Sequence, residues 1–299
     1  MPEVAQKKGR LRRLAKSESD QERTTWLQAA HTPPIGAFFE QNLRAIYTAI
    51  LQPGDLAIDC GAHRGVHTLP MSELVGPSGR VFAIEAIPEL AESLALHAKR
   101  KGYTNVEVIP KAIGSREGRA PFSLVKNQLG YSGLRLRDDL PFDTKVVTVE
   151  VPVTTLDGLF GNVRHRVRFI KMDLEGGEYH ALQGAASLLK DHRPLVVFEN
   201  GRESAARLYG YTRDDWFALL ERVDLVVFDL FGRTFVPEHW RLPNVPWYFI
   251  GATRGSDDER FVRFNLQELI RSEHGKWRRG WFKRTVHVIK RRIKQRVWR

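Results

Sequence analysis

The sequence predicts a doubly wound α/β fold, in which a mostly parallel sheet carries helices on both faces. Short apolar runs alternate with helix-like stretches along most of the chain, and most of the runs end on an acidic residue or a glycine-containing loop. The chain has 299 residues, of which 42% are hydrophobic, so it can bury a large core.

Seven runs of aliphatic, β-branched or aromatic residues predict the strands, at 56–60, 80–85, 106–109, 167–173, 195–199, 225–228 and 247–251. Helices are predicted between them at about 66–75, 88–101, 178–190 and 213–222. Strands of a parallel sheet are buried on both faces and are therefore continuously apolar, as these runs are.

One stretch departs from this alternation. Residues 119–124 and 146–153 alternate with a period of two and flank a Gly/Ser-containing segment, 130–133. This pattern predicts a hairpin-like insertion after the third strand. A long loop at that edge is either a lid or a mobile segment without a role, and Tyr131 and Ser132 are its candidate contacts to a substrate.

The first strand ends in a loop that is suited to a ligand. Gly61 and Gly65 permit a close approach of the backbone, Asp59 can accept hydrogen bonds, and Glu85 ends the second strand. An acid at that position can bind both hydroxyls of a ribose, whereas the loop lacks the third glycine of a pyrophosphate-binding motif. The pattern favours an adenosine ligand without a diphosphate. The alternative is a loop whose glycines serve only helix packing.

Residues 59–68, 81–88, 112–114, 153–157 and 170–178 resemble the FkbM family of S-adenosylmethionine-dependent methyltransferases, most specifically in the Lys-x-Asp-x-Glu-Gly-x-Glu run at 171–178. The resemblance implies a class I methyltransferase (Rossmann-like) sheet of seven strands, with an antiparallel last strand at 247–252. It also implies that S-adenosylmethionine is bound by Asp59, Gly61, His63, Gly65, Glu85, Ala112 and Asp173. The chain departs from the family at His63, where asparagine is usual, and at 86–88.

The family resemblance further implies O-methylation of a saccharide, glycolipid or polyketide-like acceptor. Transfer to a hydroxyl requires alignment and removal of a proton, and Asp173 and Glu199 stand at strand ends where they could act. Glu175, Glu178 and Asn200 are candidates for shaping the substrate pocket, although an acid at a helix start also stabilises the helix. Asp173, Glu199 and Asn200 could also hold Mg²⁺, the alternative being a pocket without metal.

The net charge of +12 is concentrated at the two ends of the chain. Residues 271–299 carry 12 Lys and Arg against one acid, and residues 1–23 carry seven against four, so the part between them is nearly neutral. We therefore predict a basic N-terminal arm at 1–35, a methyltransferase domain at 36–255 and a basic C-terminal extension at 256–299. A neutral body argues against a general nucleic-acid surface.

The C-terminal extension has the pattern of an amphipathic helix. Apolar residues from Phe282 to Val297 are spaced by three and four, with basic residues and tryptophans around them. This pattern favours binding of 277–299 to an anionic membrane surface, which co-sedimentation with anionic liposomes would test. A nucleic-acid tail and a solvated tail are the alternatives.

Two other functions are compatible with the sequence. One is an RNA methyltransferase recruited by its basic ends, although the chain lacks an Asn/Asp-Pro-Pro-Tyr motif. The other is an inactive cofactor-binding scaffold at the membrane. A single cysteine, Cys60, and an N-terminus without an apolar region after its basic residues predict a cytoplasmic protein without a secretory signal. The sequence does not indicate an oligomeric state.

Overall fold

A computed structural model describes residues 33–138, 140, 143–242, 245–266 and 268–269, with the backbone alone for 33–38. Seven strands form the main sheet: β1 (Leu56–Cys60), β2 (Arg80–Ile84), β3 (Val106–Ile109), β7 (Val167–Met172), β8 (Leu195–Glu199), β9 (Leu225–Asp229) and β10 (Tyr248–Thr253). Their order is β3-β2-β1-β7-β8-β10-β9, and β10 alone among them is antiparallel to its neighbours. The predicted sheet and its antiparallel last strand are confirmed.

The helices cover both faces of this sheet, as predicted. They are α1 (Pro33–Ile50), α2 (Thr68–Val75), α3 (Pro88–Arg100), α4 (Leu156–Phe160), α5 (Glu178–Gln183), α6 (Ala186–His192), α7 (Glu203–Tyr209), α8 (Arg213–Arg222) and α9 (Asp257–Phe264). One core packs residues of α4 to α8 on the sheet, and a second packs α1, α2 and α9 on it. Burial of both faces explains why the central strands are continuously apolar.

The predicted insertion is a hairpin. β5 (Gly118–Val125) and β6 (Val146–Thr154) pair antiparallel along their length, and β4 (Ala112–Ile113) joins β6 in parallel to complete a separate three-stranded sheet. The sequence did not predict β4, because two residues are too few to form a pattern. The hairpin places residues 129–134 beside the carboxyl ends of β1 and β2.

The predicted helix at 178–190 is two helices, α5 and α6, which are separated at Gly184. The backbone of Gly184 lies so close to Gly114 that an added Cβ would stand 2.3 Å from the Gly114 carbonyl oxygen. The helix therefore breaks at this glycine. The spacing of apolar residues in the sequence does not reveal the close approach of Gly184 to Gly114.

Helix α1 was not predicted, although its signal is present in the sequence. Phe39, Leu43, Ile46, Tyr47 and Ile50 are all buried and follow helical spacing. Because this helix precedes the family-like motifs, its contribution to the functional site was missed as well.

Most of the predicted N-terminal arm and residues 277–299 lie outside the described residues, so the amphipathic C-terminal helix stays a prediction. Within the described part of the chain, no helix is long and apolar enough to cross a bilayer.

Candidate active site

The first cavity has a volume of about 530 Å³ and opens at the carboxyl ends of β1, β2 and β7. Its edge is the loop after β1, where Gly61 has a φ of +76° and an added Cβ would lie 2.0 Å from the carbonyl oxygen of Asp173. Only glycine fits this position. The loop backbone and Asp173 are therefore held together at the cavity edge, where both were predicted to meet a cofactor.

Glu85 lies in the wall of this cavity, at the end of β2. Its Oε2 accepts a hydrogen bond from the backbone N–H of His63 and its Oε1 accepts one from that of Ile87, both at 2.8 Å. Burial raises the pKa of Glu85, and the two N–H groups oppose that rise. Each carboxylate oxygen keeps a further lone pair, so this fixed carboxylate can still accept hydrogen bonds from a ligand.

Apolar side chains also line the first cavity. Ile87, Ala112 and Ile113 lie beside Phe122 and Leu134 of the hairpin. A narrow apolar wall next to a carboxylate fits an adenine ring and its ribose, which is how the residues present suit S-adenosylmethionine.

His63 and Ser132 also line the first cavity, and each is fixed by its backbone or by a neighbour. His63 has a φ of +48°, and burial lowers the pKa of its ring. Ser132 accepts a hydrogen bond from the backbone N–H of Val125 at 2.9 Å, which anchors the hairpin loop. Two predicted cofactor residues, Asp59 and Gly65, are absent from the described lining; Gly65 instead packs against the side chain of Leu94.

Lys171 is a buried cation beneath the loop, and sequence reasoning did not assign it a role. Its Nζ donates to the Gly61 carbonyl oxygen at 3.2 Å and lies 3.4 Å from Asp173 Oδ2 and 3.5 Å from Asp59 Oδ1. Burial alone would lower the pKa of Lys171, but the negative charges of nearby carboxylates outweigh burial and raise it; these are Asp173, Asp59, Glu199 and Glu40. The position of Lys171 inside an otherwise apolar strand could have indicated a buried charge with a role in the site.

Asp59 is the second carboxylate beside the ammonium group of Lys171. It is 1% exposed, and its Oδ2 accepts a hydrogen bond from Thr68 Oγ1 at 2.6 Å. Asp59 therefore connects the end of β1 to the start of α2, and it reaches the cavity through Lys171.

The second cavity has a volume of about 560 Å³ and adjoins the first. Glu40, Tyr131, Asp173 and Glu175 line both cavities. The described lining of the second cavity carries one basic side chain, that of Arg137, against six acidic ones: Glu40, Asp138, Asp173, Glu175, Glu178 and Glu199. The rings of Tyr131, Trp247 and Tyr248 complete the walls, so this cavity is acidic and aromatic.

Three predicted pocket residues, Tyr131, Glu175 and Glu178, line the second cavity. Arg137 donates to Glu175 Oε2 at 2.7 Å, and its guanidinium lies 5.3 Å from the centre of the Tyr131 ring. The ion pair of Arg137 with Glu175 joins the hairpin to the loop after β7, whereas its contact with Tyr131 lies within the hairpin. Glu178 accepts a hydrogen bond from the backbone N–H of Leu174 at 2.6 Å, which closes the same loop.

Glu178 should make the protein less stable as the pH rises. Burial raises the pKa of Glu178 from 4.5 to about 8, so the folded protein keeps a proton there that the unfolded chain has released. The free energy of unfolding therefore falls as the pH rises through this window, by at most about 1.4 kcal/mol per pH unit. Glu178→Gln retains an oxygen that accepts the hydrogen bond from Leu174 N–H. It removes the titrating carboxyl, and with it the part of the pH dependence of stability that comes from Glu178.

Chemical denaturation of the wild type and Glu178→Gln at several pH values between 5 and 8 measures the effect. The variant should become progressively more stable than the wild type towards pH 8. Glu221→Gln, at an exposed residue of α8, is the control and should follow the wild type. Parallel curves for Glu178→Gln and the wild type would contradict the expectation.

Glu199 ends β8 and lies in the wall of the second cavity, as was expected of a residue near the reacting centre. Burial, and then the negative charge of Asp173, raise its pKa well above the ordinary value. Asn200, the next residue, is placed differently. Its Oδ1 accepts a hydrogen bond from Arg202 N at 2.7 Å, and it is absent from the described lining of either cavity.

The structure does not support the predicted Mg²⁺ site. No group of three or more His, Cys, Asp or Glu side chains is arranged to hold a metal ion within the described residues. The oxygen of Asn200 that was to be a ligand is already bonded to Arg202. Asp173, Glu199 and Asn200 therefore do not fit a metal.

The strand order and the antiparallel last strand are those of the class I methyltransferase fold, and the first cavity lies at the carboxyl ends of its strands. Residues 59–222, more than half of the chain, match the model of the Methyltransferase FkbM domain. The protein belongs to the FkbM methyltransferase family.

Similar proteins of known sequence include two archaeal protein-L-isoaspartate O-methyltransferases. That of Ignicoccus hospitalis is 45% identical over 64 residues, which are 21% of this chain and 30% of that protein. That of Methanothrix thermoacetophila is 33% identical over 102 residues, which are 34% of this chain and 40% of that protein. The chain thus spans less than half the length of these relatives.

Among solved structures, an FkbM methyltransferase from Methylobacillus flagellatus is 17% identical, with a TM-score of 0.41 over 79% of this chain and 60% of that one. Fibrillarin from Aeropyrum pernix, solved with bound S-adenosylmethionine, is 13% identical, with a TM-score of 0.39 over 71% of this chain and 73% of that one.

Proposed function

We propose that this methyltransferase transfers a methyl group to a hydroxyl oxygen, on a saccharide, glycolipid or polyketide-like acceptor. The observation that carries the proposal is the acidic and aromatic cavity that adjoins the cofactor cavity and shares Asp173 with it. A molecule in the second cavity would reach a ligand of the first at this shared wall.

The first cavity is proposed to hold S-adenosylmethionine, with Glu85 accepting the ribose hydroxyls and Ile87 and Ala112 against the adenine. Gly61 and His63 supply the loop around it, and Asp173 borders the end that faces the second cavity. When bound, S-adenosylmethionine supplies a methyl group on a sulfonium sulfur, which an oxygen takes by in-line displacement. Asp59 and Gly65 would support this loop from outside the cavity.

Glu199 is proposed as the general base and Asp173 as the residue that aligns the acceptor. As the acceptor oxygen becomes bonded to carbon, its proton passes to a carboxylate oxygen of Glu199. A carboxyl whose pKa is raised towards the working pH is a more effective base than an ordinary glutamate. Asp173 lies 3.4 Å from Lys171 and in both cavity walls, so its position is fixed where the two ligands would meet.

The chemistry of the second cavity favours a neutral acceptor rich in hydroxyl groups. Carboxylates accept hydrogen bonds from hydroxyls, and aromatic rings pack on the apolar faces of a sugar. Without Glu178 and Glu199, whose pKa values are raised, four acids remain against Arg137, and their charge would repel the phosphates of RNA, which argues against the RNA methyltransferase alternative. The same charges disfavour a carboxylate acceptor such as the isoaspartate in the names of the archaeal relatives.

The proposal is tested with radiolabelled S-adenosylmethionine and three kinds of acceptor: neutral glycosides and glycolipids, total RNA, and an isoaspartyl peptide. We expect label in the saccharides as an alkali-stable ether. Glu199→Gln should lose at least tenfold in turnover and still bind the cofactor, because one proton acceptor is removed. Glu203→Gln, at an exposed residue paired with Arg241, is the matched control.

Two results would contradict the proposal. Label in RNA, or alkali-labile label in the peptide, would move the acceptor to another class. A folded protein that binds S-adenosylmethionine and yields no S-adenosylhomocysteine with any acceptor would favour the inactive scaffold.

A further inference from the structure

A row of four polar side chains connects the two cavities. His67, just before α2, contacts Glu40 of α1, with 2.6 Å between His67 Nε2 and Glu40 Oε2. Tyr248 of β10 donates its hydroxyl to the other oxygen of Glu40, at 3.3 Å. His67 and Glu40 line the first cavity, whereas Glu40 and Tyr248 line the second.

Glu199 is the fourth member of this row. The antiparallel pairing of β8 with β10 places Tyr248 directly opposite Glu199, so the two side chains lie on the same face of the sheet, and both line the second cavity. Tyr248 therefore stands between two carboxylates, Glu40 on one side and Glu199 on the other.

A tyrosine hydroxyl has one proton to donate and lone pairs that accept. While Glu199 is ionised, Tyr248 can donate to it. Once Glu199 carries a proton, the Glu199 carboxyl can donate to the tyrosine oxygen, and the hydroxyl is then free to donate to Glu40. The proton of Tyr248 stays on its own oxygen in both arrangements.

We propose that Tyr248 and Glu40 are positioning residues for Glu199, and that the hydrogen bond of Tyr248 moves from Glu199 to Glu40 when Glu199 takes the proton of the acceptor. This inference rests on the proposed function in one respect, the role of Glu199 as the base. The proton that Glu199 takes comes from the acceptor hydroxyl, stays on Glu199 during the methyl transfer and is released to water before the next turnover.

The surroundings of the row suit this role. Glu40 is held by His67: burial alone would raise its pKa, but the contact with His67 lowers it, so Glu40 is a steady anionic acceptor. Burial raises the pKa of Tyr248 well above its ordinary value, so the hydroxyl keeps its proton. The other ionisable groups that act on Glu199 come from β7, the loop after it and α5, and they are Lys171, Asp173, Glu175 and Glu178.

Two substitutions should shift the pKa of Glu199 in opposite directions. Tyr248→Phe removes the donor to the ionised carboxylate and should raise that pKa by about one pH unit. Glu40→Gln removes the competing negative charge, so Tyr248 donates more to Glu199 and the pKa should fall. The shift caused by Glu40→Gln should shrink when Tyr248 is also phenylalanine, because the two residues act through one hydroxyl.

The pKa is measured by carbon NMR titration of protein labelled at the glutamate carboxyl carbon, with Glu199→Gln to assign the signal. Tyr103→Phe is the matched control, since Tyr103 also donates to a carboxylate, that of Glu73, outside both cavities. An unchanged pKa in Tyr248→Phe would overturn the inference. An equal shift from Glu40→Gln in both backgrounds would also overturn it, because Glu40 would then act through space alone.

The pH dependence of methyl transfer then separates this inference from the proposed function. If Glu199 is the base, the pH at which turnover reaches half of its maximum on the acidic side follows the pKa found by NMR. This pH should rise in Tyr248→Phe and fall in Glu40→Gln. If the NMR shifts occur and this pH stays in place, the row positions Glu199 as inferred, and the assignment of Glu199 as the base is wrong.

Discussion

Replacement of Glu85 by alanine is expected to weaken the binding of S-adenosylmethionine by about 10- to 100-fold, the cost of losing a buried charged hydrogen-bond acceptor. The carboxylate is 6% exposed and stands in the wall of the cofactor cavity. Its loss removes the acceptor for the ribose and also leaves the N–H groups of His63 and Ile87 without their partner. Isothermal titration calorimetry measures the change.

Two further variants separate these effects. Glu85→Gln keeps one oxygen acceptor and the side-chain volume, so it should bind more tightly than Glu85→Ala and less tightly than the wild type. Glu107→Ala removes an exposed glutamate that pairs with Arg80, and it should leave the affinity unchanged. Wild-type affinity in a folded Glu85→Ala protein would place the cofactor elsewhere.

Replacement of Lys171 by methionine is expected to lower the free energy of unfolding by about 3–5 kcal/mol, as is usual when one partner of a buried ion pair is removed. Lys171 and Asp59 are 4% and 1% exposed. Without the ammonium group, Asp59 would be a buried charge with only the Thr68 hydroxyl on it, and the Gly61 carbonyl would lose its donor. Chemical denaturation measures the loss.

The double variant Asp59→Asn/Lys171→Met is the matched control. It removes both charges, and the asparagine oxygen still accepts from Thr68, so it should be more stable than Lys171→Met alone. The contribution of a lysine with a raised pKa is fully present below its ordinary value of 10.5 and is lost only at higher pH. The effect of Lys171→Met should therefore be similar at pH 6 and pH 9, and a less stable double variant would contradict the account.

The sequence predicts the fold well because local signals define it. The apolar runs mark the strands of the main sheet, and the alternating segments around residues 130–133 mark the hairpin. The position of the first cavity could be anticipated from Gly61 and Glu85 for the same reason, since the carboxyl ends of neighbouring parallel strands meet at one edge.

The second cavity could not be anticipated in the same way. Tyr248 faces Glu199 only through the register of an antiparallel pair, which depends on where the chain turns between β9 and β10. Glu40 reaches Tyr248 across 208 positions of sequence. Asn200 was predicted to line the pocket because it follows the end of a strand. The turn after β8 instead directs its side-chain oxygen to the backbone N–H of Arg202.

The contact between Glu40 and Tyr248 has a consequence for how the enzyme is made. A ribosome synthesises the chain from its N-terminus, and every described residue that lines the cofactor cavity has been made once Gly177 is in place. The second cavity still needs Tyr248, seventy-one positions later in the numbering. A growing chain thus possesses the residues proposed to bind the methyl donor long before those proposed to bind the acceptor, and we expect no activity until β10 has left the ribosome and inserted between β8 and β9.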